Sequence, residues 1–137
     1  MIQRIQSVWL LLAAICVFAT YKLPFYSGTH PKFPGVVYEL NGRENFLLML
    51  TTFVTGGLAA VIIFLFKQRS LQLKLCVLGI LLEAILIFLY YRATQTFTSG
   101  TYALWAILHS VIVICFFMAA KAINKDEKLI KESDRLR

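Results

Sequence analysis

Residues 46–66 read FLLMLTTFVTGGLAAVIIFLF, a stretch with no charged residue and no proline. A helix needs roughly 20 apolar residues to cross the ~30 Å hydrocarbon core of a bilayer, and this stretch is long enough. In lipid every backbone amide must find its partner within the protein, so the stretch is a helix rather than a lone strand. Strands of an outer-membrane barrel would be about half as long and would alternate polar with apolar residues. Three further stretches read the same way, Ile5 to Leu23, Leu71 to Tyr91 and Tyr102 to Ala120, again without an internal proline. The expectation is an all-α membrane protein, a single domain over residues 1–137 built as a four-helix transmembrane bundle.

Composition points the same way. Hydrophobic residues make up 59% of the 137, and the mean hydropathy is +0.73, too apolar for one water-soluble core of this size. The formal charge of +7 does not imply a nucleic-acid partner, because the basic residues cluster at the ends of the apolar runs instead of forming one face. Cys16, Cys76 and Cys115 lie in or beside those runs with no CxxC spacing and no His at ligand distance. They read as small apolar residues, not as a disulfide framework or a metal site. At the N-terminus, Arg4 and Val17-Phe18-Ala19 have the outline of a cleavable signal peptide. The apolar run continues past Ala19 through Tyr21, Leu23 and Phe25, which favours a retained first helix.

Charge sets the expected topology. Arg4, the connection after the second stretch (Lys67, Arg69, Lys74) and the tail (Lys121, Lys125, Lys128, Lys131, Arg135, Arg137) hold ten basic residues; Lys22, Lys32, Arg43 and Arg92 on the opposite side are four. Cations resist translocation, so the richer side is cytoplasmic, and four crossings put both termini there. The one sizeable external segment, 24–45, contains Pro24, Pro31 and Pro34, and its first half is expected to be irregular or polyproline-like. Gly35 to Glu39 reads as a short strand before an Asn41-Gly42 turn. The tail 121–137 mixes charges of both signs with Ile123, Leu129, Ile130 and Leu136, and Glu127–Lys131 has the favourable i,i+4 order. It reads as an amphipathic cytoplasmic extension of the last helix, lying on headgroups or docking a protein partner.

Two ionisable residues fall inside spans, Glu83 and His109. A charged side chain at mid-bilayer costs on the order of 2–3 kcal/mol on insertion scales and raises a functional question by default. At ~1.5 Å per residue both lie about 10–12 Å below the outer end of antiparallel neighbouring helices, so they are expected to pair. Thr55 lies near the same level and offers a hydroxyl. Thr52, Gly56 and Ala60, at i, i+4 and i+8, form a small-residue face for close helix packing, against another helix of the same chain or a second copy in a homo-oligomer. No HExxH, GxSxG, P-loop or dinucleotide fingerprint is present, so no enzyme activity, catalytic residue, cofactor or metal is expected.

The stretches Met1-Ile2-Gln3-Arg4-Ile5-Gln6-Ser7, Lys67-Gln68-Arg69-Ser70-Leu71-Gln72, Lys125-Asp126-Glu127-Lys128-Leu129-Ile130 and Ser133-Asp134-Arg135-Leu136-Arg137 resemble an uncharacterised family of small four-span inner-membrane proteins of the Bacteroidetes lineage. The resemblance implies four helices and a bacterial inner-membrane location, and it brings no catalytic residue with it. Glu83 and His109 lie outside its pattern; its motifs all fall on the cytoplasmic side. The leading expectation is a non-enzymatic accessory or scaffold subunit that binds a partner through Arg4, Lys67, Arg69, Asp126, Glu127, Asp134, Arg135 and Arg137. The alternative is a small transporter or ligand-binding bundle built on Glu83, His109 and Thr55.

Overall fold

The computed structural model describes residues 2–136, with side chains described from Ile5 to Leu136. Its elements are α1 (Ile2–Thr20), β1 (Tyr26–His30), β2 (Phe33–Leu40), α2 (Phe46–Phe64), α3 (Arg69–Thr94), β3 (Ser99–Tyr102), a 3-10 turn (Leu104–Ala106) and α4 (Ile107–Arg135). The molecule is mostly helical, but it is not all-α: a three-stranded sheet sits at the end where α1 and α3 finish and α2 and α4 begin.

The helices form a ring in which α1 packs on α2 and α4, and α3 packs on the same two. The contacts fix an antiparallel order. Phe18 of α1 and Tyr21 just after it both meet Phe53 of α2, while Phe18 also lies against Gly56. On α3, Arg69, Gly79 and Glu83 meet Asp126, Phe116 and His109 of α4, descending as α3 ascends. Among the described residues three helices are long and apolar enough to cross a membrane: Phe46–Phe64, Arg69–Thr94 and the run Leu104–Arg135; the apolar part of α1, Ile5–Thr20, is shorter. The large side chains these helices turn outward, such as Phe64, Leu81, Phe88 and Phe117, suit a lipid surface rather than water.

Helix boundaries depart from expectation for local and non-local reasons. α1 stops at Thr20 instead of Leu23, because the residue before a proline is driven out of the helical region and Leu23 precedes Pro24. The turn is closed by Tyr21 and Leu23 amides donating to Phe18 and Ala19 carbonyls. α2 ends at Phe64, two residues short of Phe66, and α3 runs longer than 71–91 at both ends. α4 starts at Ile107 and not Tyr102, because Ser99–Tyr102 is taken into the sheet.

The sheet order is β2-β1-β3, all antiparallel. The proline-bearing first half of the loop is therefore a strand pair and not irregular chain. Pro34 sits on β2, an edge strand, where a missing N–H is tolerated. The expected strand Gly35–Glu39 is the middle of β2. Between β1 and β3 the register pairs Tyr26 with Tyr102, Ser27 with Thr101, Gly28 with Gly100 and Thr29 with Ser99. The two facing glycines let the strands meet closely; a Cβ on Gly28 would fall on the Ser99 carbonyl. The buried core divides into a large cluster around Leu10, Val17, Ile62, Cys76, Phe116 and Ile123, and a smaller one under the sheet made of Phe25, Leu40, Leu48, Leu86 and Tyr90.

Gly28→Ala is expected to destabilise the protein by about 1–3 kcal/mol, the usual cost of forcing atoms into a filled site. Gly57→Ala has open space around it and should be neutral or stabilising by up to about 1 kcal/mol. Thermal unfolding of both variants in detergent checks the pair, and equal effects would contradict the close approach.

Candidate functional site

Glu83 on α3 and His109 on α4 lie where the two core clusters meet. His109 Nδ1 is 2.5 Å from Glu83 Oε1, with the residues 2% and 0% exposed. The depth comparison made from the sequence thus brings together the two residues it paired. The pair is roofed by aromatics: Phe25, at the entry to β1, stands edge-on to the imidazole at 5.3 Å and stacks on Tyr90 at 4.6 Å, and Tyr90 tilts against His109 at 5.0 Å. Gly42 closes the outer side, since a Cβ there would lie 3.3 Å from the Tyr90 hydroxyl.

Tyr90 is the site residue that sequence reasoning missed. It lies seven residues after Glu83 and so on the same helix face, which is the signal that would have found it. Its hydroxyl and Glu83 Oε2 are both buried without a hydrogen-bond partner. An unpartnered buried polar atom costs about 1–3 kcal/mol, so the contact to His109 carries most of the compensation available to the carboxyl. Thr55 is fully buried, but its hydroxyl donates to the Thr51 carbonyl at 2.8 Å on its own helix and not to Glu83. Chemically, the arrangement can hold a proton between imidazole and carboxyl. Neither Glu83 nor His109 lines the sheet-side cavity or the two grooves at the opposite end of the bundle.

The remaining sequence-derived residues separate. Thr52 and Gly56 are buried and Gly56 packs on Phe18, so the close neighbour of this face is α1 of the same chain. The third member of the face is Ala59, with Ala60 turned partly outward. Asp126 is not a free recognition charge: it is 7% exposed, and its Oδ2 lies 3.3 Å from Arg69 Nε. No N–H is aimed at that oxygen, so the contact is ionic rather than a hydrogen bond. Glu127 pairs with Lys131 at 3.1 Å, whereas Lys67, Asp134 and Arg135 are exposed. The side chain of Arg4, and Arg137, lie outside the described residues. Gln72 and Gln6 are buried polar residues that went unread in the sequence. Gln72 donates from Nε2 to the Ile62 carbonyl at 2.8 Å, tying α3 to the end of α2; Gln6 is buried on α1, and both amide oxygens lack a partner. The three cysteines are free and buried.

On the sheet side a cavity of about 410 Å³ is lined by His30, Lys32, Phe33, Tyr38, Glu44 and Phe97, among others. The Tyr38 hydroxyl donates to Glu44, and this bond raises the Tyr38 pKa above the ordinary tyrosine value, with burial and the Glu44 charge adding smaller pushes the same way.

A ring of antiparallel helices, three of them apolar enough to span a bilayer, with a capping sheet and a buried Glu–His pair beneath it, defines a helical multi-pass membrane protein. The chain belongs to the family described as domain of unknown function DUF4293, whose model matches residues 2–136. No curated protein and no solved structure matches it.

Removing one partner of a buried pair costs about 3–5 kcal/mol because the other is left uncompensated, whereas an interhelical hydrogen bond in a membrane averages only ~0.6 kcal/mol in net worth. The Glu83→Leu/His109→Leu double variant should therefore be more stable than His109→Leu alone, in which the carboxyl has no partner. A double-mutant cycle from unfolding in mixed micelles measures this; additive effects would mean that the two side chains do not interact. At the outer cavity, Tyr38 should ionise at higher pH than an ordinary tyrosine. The raised value favours the fold below the ordinary tyrosine pKa, and that contribution fades as pH climbs through the folded-state value. Ultraviolet titration of wild type minus Tyr38→Phe should show the late transition, and Glu44→Gln should move it to lower pH.

Proposed function

We propose that the protein is a non-enzymatic accessory or scaffold subunit of a bacterial inner membrane, crossing it four times with both termini cytoplasmic. Its occupant surface would be the end of the bundle that carries the termini, and its partner another protein. The ten-to-four distribution of basic residues supports the orientation. α1 supports the fourth crossing: its 19 residues reach about 28 Å at 1.5 Å each, close to the hydrocarbon thickness.

The observation that carries the reading is the end of α4. At 29 residues the helix is about 43 Å long, more than a bilayer core needs. Its last buried residues are Ile123 and Asp126, and beyond them it continues to Arg135 with Leu129 42% and Ile130 40% exposed. A projecting helix of this length is marginal by itself, so packing against something else would hold it. Six basic and four acidic residues over 121–137 favour a protein, because lipid-binding helices are more purely basic. Among the described residues the recognition charges are Lys67, Glu127, Asp134 and Arg135, with Arg69 and Asp126 bracing the helix from within. The reading of Glu83 and His109 as a transport or ligand site is the weaker one, because the pair is enclosed by Phe25 and Tyr90 and lines neither the sheet-side cavity nor the groove between α1 and α4.

Truncation after Asp126 keeps the Arg69 contact and the whole buried core. The shortened chain should insert and unfold with a melting temperature close to wild type, yet no longer co-purify in mild detergent with the protein that accompanies the full chain. An unchanged set of co-purifying proteins would refute the proposal.

A further inference from the structure

At the same end of the bundle, α1 and α4 leave a groove of about 210 Å³ between them, open along one side. Its floor and walls are Ile5 and Trp9 of α1 and Met118 and Ala122 of α4, with Lys121 and Lys125 at the lip. The spacing explains the lining. Ile5 and Trp9 are one turn apart on one face of α1, and Met118, Lys121, Ala122 and Lys125 follow the i, i+3, i+4, i+7 pattern of a single α4 stripe. That stripe is adjacent to the one that packs inward through Phe116, Ala119 and Ile123.

Two features of the groove call for a ligand of particular chemistry. The first is charge. Lys121 and Lys125 stand one turn apart, at the ~5–6 Å separation where like charges on a helix repel. Among the described residues neither has a carboxylate partner, since the nearest acids are engaged elsewhere: Asp126 with Arg69 on the inner side and Glu127 with Lys131. An anion bridging the two ammonium groups relieves that repulsion. The second is level. The groove lies where the apolar run of α4 gives way to charge at Ala120–Lys121, and Trp9 stands beside it; Trp is enriched at the boundary between headgroups and acyl chains. Ile5, half exposed, adds apolar surface to the same groove.

We propose that this groove binds one anionic phospholipid, its phosphate held between Lys121 and Lys125 and the upper part of an acyl chain laid along Ile5, Trp9, Met118 and Ala122. Basic pockets between helices at the boundary level are suited to anionic headgroups, and lysine stems reach along apolar walls while keeping their charge at the surface. A lipid suits the groove better than a protein segment, because its charge is of one sign and its floor is a narrow apolar slot, unlike the mixed-sign helix beyond Asp126. The site is independent of the partner surface proposed above, and truncation after Asp126 leaves it whole.

The test uses the intrinsic fluorophore. Trp9 and Trp105 are the two tryptophans, and Trp105 lies at the opposite end, so the full chain carrying Trp105→Phe reports on the groove alone. In detergent–lipid micelles, brominated phosphatidylglycerol should quench Trp9 at a concentration at least about tenfold lower than brominated phosphatidylcholine, two interfacial cations being involved. The preference should disappear in Lys121→Gln/Lys125→Gln, with phosphatidylcholine quenching unchanged, and persist in Lys121→Arg/Lys125→Arg, which controls for folding. Equal quenching by the two lipids in the parent, or a preference that survives the glutamine variant, would overturn the proposal.

Discussion

A carboxyl group in the middle of a bilayer has to be answered by another polar group, and much of this structure follows from how Glu83 is answered. His109 must sit within hydrogen-bond distance on a different helix, so α3 and α4 are held antiparallel and in one register. The start of α4 must be positioned accurately, and β3 does this by anchoring the segment just before it to β1 through paired glycines. The pair must also be kept dry, which Phe25 and Tyr90 accomplish from the sheet side. The sheet therefore does more than connect helices: Phe25, which donates its amide to Leu40 and accepts from Ala103, is both part of the strand network and the roof of the buried pair. A chain with Leu at both positions would have less need of such a cap.

The helical framework was legible because the code for it is local. Uninterrupted apolar runs of span length have one structural solution in lipid, and the 1.5 Å rise per residue is enough to compare the depths of Glu83 and His109 without any coordinates. The sheet was not legible by the same route, because β1 and β3 lie about half the chain apart and their pairing is not encoded locally. A trace of it is present all the same. Tyr26-Ser27-Gly28-Thr29 and Ser99-Gly100-Thr101-Tyr102 are nearly the same four residues read in opposite directions along the paired strands, and each glycine faces the other. Attention to the three prolines hid this, since Pro34 is compatible with the outer edge of a sheet even though it is a poor residue for its centre.

The burial of Asp126 and of Gln6 was missed for a different reason. Asp126 was read by its residue type, as part of a charged tail, and Gln6 was passed over inside the first apolar stretch, when the position of each in the helical period carried the information. Ile112, Phe116, Ala119 and Ile123 are buried on α4 at alternating steps of four and three, and the next step is Asp126. On α1, Ala13 and Leu10 step back to Gln6 in the same way. The inward stripe runs past the end of the apolar run, so the surface proposed for a partner is narrower than composition alone suggests. Of the residues read from the charge pattern, Lys67, Asp134 and Arg135 face outward and are exposed.

Two sets of polar residues then lie toward opposite ends of the bundle: Glu83, His109 and Tyr90 beneath the sheet, and Gln6, Gln72, Arg69 and Asp126 at the other end. Apolar cores tolerate sliding, because one methylene packs nearly as well as another, but polar contacts do not. Moving α3 past α4 by one turn, about 5.4 Å, would leave Glu83 facing an aliphatic neighbour and Asp126 without its guanidinium at the same time. Errors at the two ends would add, and each leaves a charge in a place where it is costly. Between the two sets, Gly79 lies directly against Phe116, a knob and a gap that match only in the same register. Three unlike contacts along one helix pair therefore agree on a single alignment. That agreement gives Glu83 and His109 a structural purpose that does not require them to move an ion.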